Sequence, residues 1–260
     1  MMIGRAGKSA LVILTILTIV IFTCPLESRA AVFDHNVFNT LLKKYVSDGK
    51  IDYLKWKKDD LETFEEYINT LKEASPEKMS RNGRKAFWIN AYNALTIYAV
   101  LKRIPGNKLL AKVFSVQMVP GFFDRIKYDV DGESLTLNDI ENVKLREGFN
   151  DARIHFALVC ASRSCPEIQN GAFKAPGLDK KLDEMTRMFI RDKTRNRIDT
   201  KDNILYLSQI FKWYEEDFVG DSGSVINYVK KYVDEKDFLY LSSQDVRIKF
   251  LYYDWLINVK

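Results

Sequence analysis

Two cysteines and a histidine fall within one short stretch, "RIHFALVCASRSCPEI" from Arg153 to Ile168, which carries His155, Cys160 and Cys165. The whole chain has only 3 cysteines and 2 histidines, so this concentration calls for a chemical reading. Four chemistries use these residue types: a disulfide, a metal site, a redox pair, and a nucleophile with its base. A thioredoxin-type dithiol needs C-x-x-C, and here four residues separate the cysteines. Two thiols and one imidazole supply three ligands in no ordinary zinc spacing, so neither a metal nor another cofactor is expected. A Cys160–Cys165 disulfide stays open, since the loop between them could close if its backbone allows. So does a nucleophile. Cys165 precedes Pro166, a favoured first helical residue, and a helix N-terminus there would stabilise its thiolate. Cys165 is therefore the leading nucleophile, Cys160 the reserve, and His155 the base.

A base needs a group that orients it, and an acyl transfer needs a donor for the oxyanion. Asn90 and Asn93 lie three apart on one face of a very apolar helix, "FWINAYNAL". Buried amides must be satisfied. They either tie down a neighbouring loop through its backbone or serve the site. Arg153 is a further orienting or oxyanion candidate. Glu141 is the carboxylate to watch. Its plainer role is a capping box with Asn138 at the start of a helix.

The elements that must position these residues are legible from periodicity. "HNVFNTLLKKYV", "DDLETFEEYINTL" and "RKAFWINAYNALTIYAVLKRI" have helical apolar spacing, and the last is apolar on most sides, hence central. "IKYDVDGESLTLNDIENVKL" reads as a hairpin turning at Asp131-Gly132, followed by a helix. "RIHFALVC" reads as a buried strand. On such a strand His155 and Cys160 point to opposite faces, which makes a direct pair awkward. "LDEMTRMFI" is a helix, "RIDTKDNILYLS" a second hairpin, "SQIFKWYEEDF" a helix after Ser208, and "IKFLYYDWLINV" a closing strand. Helices outnumber strands, and the strands sit in hairpins. The expectation is one helix-rich α+β domain with antiparallel hairpins and a central apolar helix, spanning residues 31–260.

The first thirty residues read differently. Arg5 and Lys8 precede "LVILTILTIVIF", an apolar run of about a dozen residues that is short for a bilayer span. Ser28, Ala30 and Ala31 follow as small residues suited to cleavage. The reading is a secretory signal over 1–30 and a periplasmic or secreted mature chain, touching a membrane only through that segment. A retained anchor, or a lipoprotein through Cys24, is the lesser reading. The formal charge of +5 falls to +3 once Arg5, Lys8, Glu27 and Arg29 are set aside. That is too little to argue for nucleic acid, and "RMFIRDKTRNR" reads as a solvated face. A small molecule or a peptide is the expected partner.

Five blocks, "AFWINAYNALTIYAVLK", "GESLTLNDIENVKLRE", "DARIHFALVCASRSCPEI", "LSQIFKWYEEDF" and "LYYDWLIN", together resemble the domain of unknown function 547 family, from roughly Phe87 to Trp255. The resemblance implies an exported bacterial protein with thiol chemistry, in an arrangement distantly like that of cysteine peptidases. One position departs from it. Where the family usually has a histidine after the glutamate, this chain has Asn142. If that histidine is the family's base, His155 is the candidate left here, and activity itself comes into question. The expectation is a thiol-dependent hydrolase or acyl transferase acting on an amide, peptide or thiol-peptide. The alternatives are a non-catalytic binding domain closed by a disulfide, and a thiol redox protein.

Overall fold

The computed structural model describes residues 31–260. The signal, anchor and Cys24 readings fall on residues 1–30 and lie outside the described residues. Helices come first: α1 (Asn36–Tyr45), the two-residue strands β1 (Val46–Ser47) and β2 (Lys50–Ile51), α2 (Tyr53–Asp59) and α3 (Leu61–Thr70). Their buried aromatics, among them Phe38, Trp56, Phe64 and Tyr67, pack with α4 (Arg81–Arg103). The Ser80 side chain caps α4 by accepting from the Gly83 N–H. From Lys85 to Leu101 nearly every residue of α4 is buried, as the all-round apolar pattern predicts.

After α5 (Lys108–Val113) comes the hairpin of β3 (Lys127–Val130) and β4 (Glu133–Thr136). It turns at Asp131 and Gly132, both left-handed at φ 55° and 70°, the conformation a tight two-residue turn requires. α6 (Leu137–Asp139) is a single turn that runs directly into a π-helix, Ile140–Glu147. A 3₁₀ helix, Ala152–Phe156, and α7 (Leu178–Arg191) follow. The last third holds β5 (Arg197–Asp199), β6 (Ile204–Leu207), α8 (Ile210–Trp213), α9 (Glu215–Ser222), α10 (Val225–Lys230), α11 (Glu235–Ser243) and β7 (Arg247–Phe250). β6 is antiparallel to β5 and parallel to β7. This is an α+β domain, helix-rich, with small sheets. Two buried clusters fill it. One surrounds α4; the other gathers Phe156 from the 3₁₀ helix, Phe189 from α7, and Phe211, Phe218 and Tyr228 from the last third. Cys160 and Trp255 pack against both.

Five local expectations are corrected. "RIHFALVC" is not a strand. Its first half is the 3₁₀ helix, started by Asp151, whose carboxylate accepts from the Arg153 N–H. A continuous apolar run fits a buried helix as well as a buried strand, and here Ile154 to Val159 is buried throughout. The opposed faces of His155 and Cys160 therefore do not arise. Cys165 is not at a helix N-terminus either, because the next helix begins only at Leu178. The capping box is formed by Thr136 and Asp139, not Asn138 and Glu141. "SQIFKWYEEDF" breaks at Tyr214 into α8 and α9 rather than running on. The closing strand stops at Phe250. Beyond it, extended chain makes single bridges from Leu256 to Ser115, Ile257 to Ser162 and Val259 to Ile51.

Candidate functional site

The thiol segment is held from both sides. The Asn93 amide donates to the Ala157 carbonyl and its oxygen accepts from the Val159 N–H, both at 2.9 Å. This clamp fixes the chain just before Cys160. Ala161, just after it, is buried and left-handed at φ 64°, a conformation that costs a residue with a Cβ about 1 kcal/mol or more. The kink turns the chain back, so that the Cys160 N–H donates to Cys165 Sγ at 2.8 Å and the two sulfurs also lie 2.8 Å apart. Both cysteines are free thiols.

The two thiols differ in environment. Cys160 is part-exposed, with Ser162 Oγ at 3.1 Å and the Tyr253 hydroxyl at 3.2 Å from its sulfur. Burial works against its thiolate, but hydrogen bonds from Cys165, Ser162 and Tyr253 outweigh that and bring its pKa down to about 7. Cys165 is 4% exposed. Burial, and then the hydrogen bond and charge of Cys160, push its pKa well up.

His155 is buried in the 3₁₀ helix, with its ring stacked on Tyr214 at 3.8 Å. Its Nε2 lies 2.6 Å from an Asp217 carboxylate oxygen. Nδ1 has no hydrogen-bond partner among the described residues. Asp217 in turn takes a two-pronged contact from Arg146, Nε at 2.7 Å and Nη2 at 2.9 Å. The third prong, Nη1, donates to Asn142 at 2.7 Å. Burial raises the Asp217 pKa, but the His155 and Arg146 contacts prevail and hold it well below the carboxylate range. The result is a chain, Asn142–Arg146–Asp217–His155. The π-helix makes it possible, since its wide turn brings residues 141, 142 and 146 to one side.

Tyr92, Glu141, His155, Cys160, Trp213 and Tyr253 line one cavity of about 120 Å³. Cys165 sits in its wall. Four of the residues singled out from the sequence thus meet: His155, Cys160, Cys165 and Glu141. Three do not line it. Asn90 spends both ends of its amide on the Phe173 backbone. Asn93 clamps the loop as described. Arg153 binds Asp151, Asp179 and Asp183. Sequence reasoning missed Asp217, which sits in "YEEDF" behind two glutamates and reads as charge at a helix start. It also missed Arg146, Tyr214, Ser162 and Tyr253. The nearer carboxylate in sequence, Asp151, is spent on starting the helix and on Arg153 and Lys85. Among the described residues no three His, Cys, Asp or Glu side chains are grouped to hold a metal ion.

Comparison with known proteins gives one match. Residues 76–190 fit the family model described as "Protein of unknown function, DUF547". No curated protein and no solved structure matches.

Proposed function

We propose that this chain, which belongs over residues 76–190 to the DUF547 family, is a cysteine-dependent hydrolase or acyl transferase with Cys160 as nucleophile. The observation that carries the reading is the convergence on one cavity of a thiol with lowered pKa and an imidazole already paired to a carboxylate. With Nε2 held by Asp217, Nδ1 is the nitrogen left to exchange protons. Cys160 gives its thiol proton to His155 as its Sγ attacks a substrate carbonyl carbon, which gives a tetrahedral adduct. The adduct collapses to a thioester as the leaving amine or thiol takes a proton from His155. Water, giving its proton to His155, then attacks the thioester; the C–S bond breaks, the carboxylic acid leaves, and His155 returns the proton to Cys160 Sγ as the thiol. Asp217 holds the ring, and Arg146 holds Asp217. Asn142 belongs to this supporting chain, so the base role falls to His155. The role of Cys165 is to donate to the Cys160 thiolate. The export reading joins the proposal on the strength of residues 1–30 alone; among the described residues no helix is long and apolar enough to cross a membrane.

The test uses p-nitrophenyl acetate, a generic acyl donor. The full chain should release a burst of p-nitrophenolate and carry acetyl on Cys160 by mass spectrometry. Cys160→Ser should remove both, a loss of at least about 10³-fold, while Cys165→Ser keeps the burst. Acetyl on Cys165 alone, or a burst that survives in Cys160→Ser, sinks the assignment.

The sulfur separation of 2.8 Å favours a second reading, a dithiol that exchanges with a partner disulfide. Cys160 thiolate would displace one partner sulfur, and Cys165 would then displace the other, leaving Cys160–Cys165 oxidised and the partner as two thiols. Incubation with oxidised glutathione, followed by a count of free Cys160 and Cys165 thiols under denaturing, non-reducing conditions, separates the readings: the exchanging dithiol ends with Cys160 and Cys165 joined and neither thiol titratable, whereas the hydrolase keeps them unjoined.

A further inference from the structure

Glu141 has no task in the mechanism. Its expected capping role belongs to Asp139, and the orienting role belongs to Asp217. Yet it is only 7% exposed and lines the thiol cavity. A carboxylate in that position is costly unless it is paired. Among the described residues it forms no ion pair. Arg146 bears on it electrostatically, but all three prongs of that guanidinium are committed to Asp217 and Asn142. What surrounds Glu141 instead is aromatic: its charge bears on Tyr214 and Tyr92, which line the cavity with it. Phe123 and Trp213 complete that part of the wall.

A buried anion among ring faces is the chemistry that recognises an ammonium group, through Coulomb attraction and cation–π contact together. The cavity is also small. About 120 Å³ is well under the roughly 300 Å³ at which pockets for larger ligands begin, so there is room for one small residue and not for a chain running through. The thiol lies in the same wall.

We infer that Glu141 binds the free α-ammonium group of the acyl donor, so that the cleft takes an aminoacyl group end-on and Cys160 attacks the first carbonyl of a peptide, amide or thioester. An α-amino group, with an ordinary pKa near 8, carries that charge at neutral pH. Glu141 acts here as a binding and specificity residue. The inference rests on the proposed thiol chemistry only for the bond broken; the ammonium site itself stands apart from it.

The experiment keeps the two separable. Cys160 is alkylated with N-ethylmaleimide and with N-(2-aminoethyl)maleimide, which differ by one ammonium, and the rate on the Cys160 peptide is read by mass spectrometry. Each rate is divided by that of free cysteine with the same reagent. The wild-type chain should favour the cationic reagent by about tenfold. Glu141→Gln should erase the preference, and Glu141→Asp, which keeps the charge, should retain its direction even if folding is weakened. In parallel, an aminoacyl p-nitroanilide is compared with its Nα-acetyl form; acetylation should lower kcat/KM by at least about tenfold in the wild type and not in Glu141→Gln. A charge preference without any turnover would support the ammonium site and count against the hydrolase. Turnover that is indifferent to acetylation, with equal maleimide ratios in wild type and Glu141→Gln, overturns the inference and leaves the hydrolase standing.

Discussion

The two sides of the thiol cleft come from two different parts of the molecule. The cluster around α4 and the segment 76–190 supply the groups that react: Cys160, Cys165, His155 and Glu141. The last third of the chain, beyond that segment, supplies the groups that hold them: Asp217 on the imidazole, Tyr214 under its ring, Tyr253 on the thiol. Cys160 and Trp255 pack against both clusters, so the seam between them is where the chemistry sits. Arg146 ties one side to the other through Asp217. Reactive residues can thus be gathered by a short contiguous block, while their tuning depends on chain that arrives much later.

The sharpest way to break this division is to remove the distant acid. Asp217→Asn keeps the shape and one hydrogen bond but removes the negative charge that faces the imidazole. Deacylation of acetyl-Cys160, which needs His155 to activate water, should slow by about 10²-fold or more. The rate of acetate release after the burst measures it. An unchanged rate would mean that the last third only scaffolds the site.

The same contrast marks how far the sequence could be read. Helical periodicity placed α1, α3, α4 and α7 because each has a buried stripe or is buried all round, and Asp131-Gly132 placed a hairpin because few residues accept its backbone. The cysteines and His155 were legible as types in one block. Their meeting was not, because an apolar run carries no mark that separates a buried 3₁₀ helix from a buried strand, and the strand reading set His155 and Cys160 apart. Asp217 was hidden for a related reason: acids at a helix start are common on dipole grounds alone. The π-helix left no periodic trace over its eight residues, yet it decides which way Glu141 and Arg146 face.

A smaller effect sharpens the comparison at the thiol itself. Iodoacetamide labelling of Cys160 should rise with pH to a midpoint of about 7, because its folded pKa is lowered to that value. Tyr253 comes from the last third and donates to that sulfur, so it favours the thiolate. In Tyr253→Phe one donor is lost, the neutral thiol gains ground, and the midpoint should move up by about one unit. A midpoint that stays put would assign the tuning to Ser162 and Cys165, within the matched segment.

The smallest expected change in chemistry comes from the clamps on α4, and it tests whether position alone matters. Asn90→Ala and Asn93→Ala each strip two backbone groups of their partners at buried sites, Phe173 in one case and Ala157 with Val159 in the other. An unsatisfied buried group costs about 1–3 kcal/mol, so the two variants should lose comparable stability, about 3 kcal/mol, read from urea midpoints at unchanged slope. Their effects on the thiol should part. Asn93 holds the residues that lead into Cys160 and the left-handed Ala161, so its loss loosens the turn that brings the two sulfurs together, and Cys160 labelling at pH 7 should fall several-fold. Asn90 anchors a loop that ends well past Cys165, so labelling in Asn90→Ala should match wild type under conditions where both variants are folded. If the two variants label alike, the clamp on Ala157 and Val159 is structural support of the same kind as the other, and the low pKa of Cys160 rests on its hydrogen-bond donors alone.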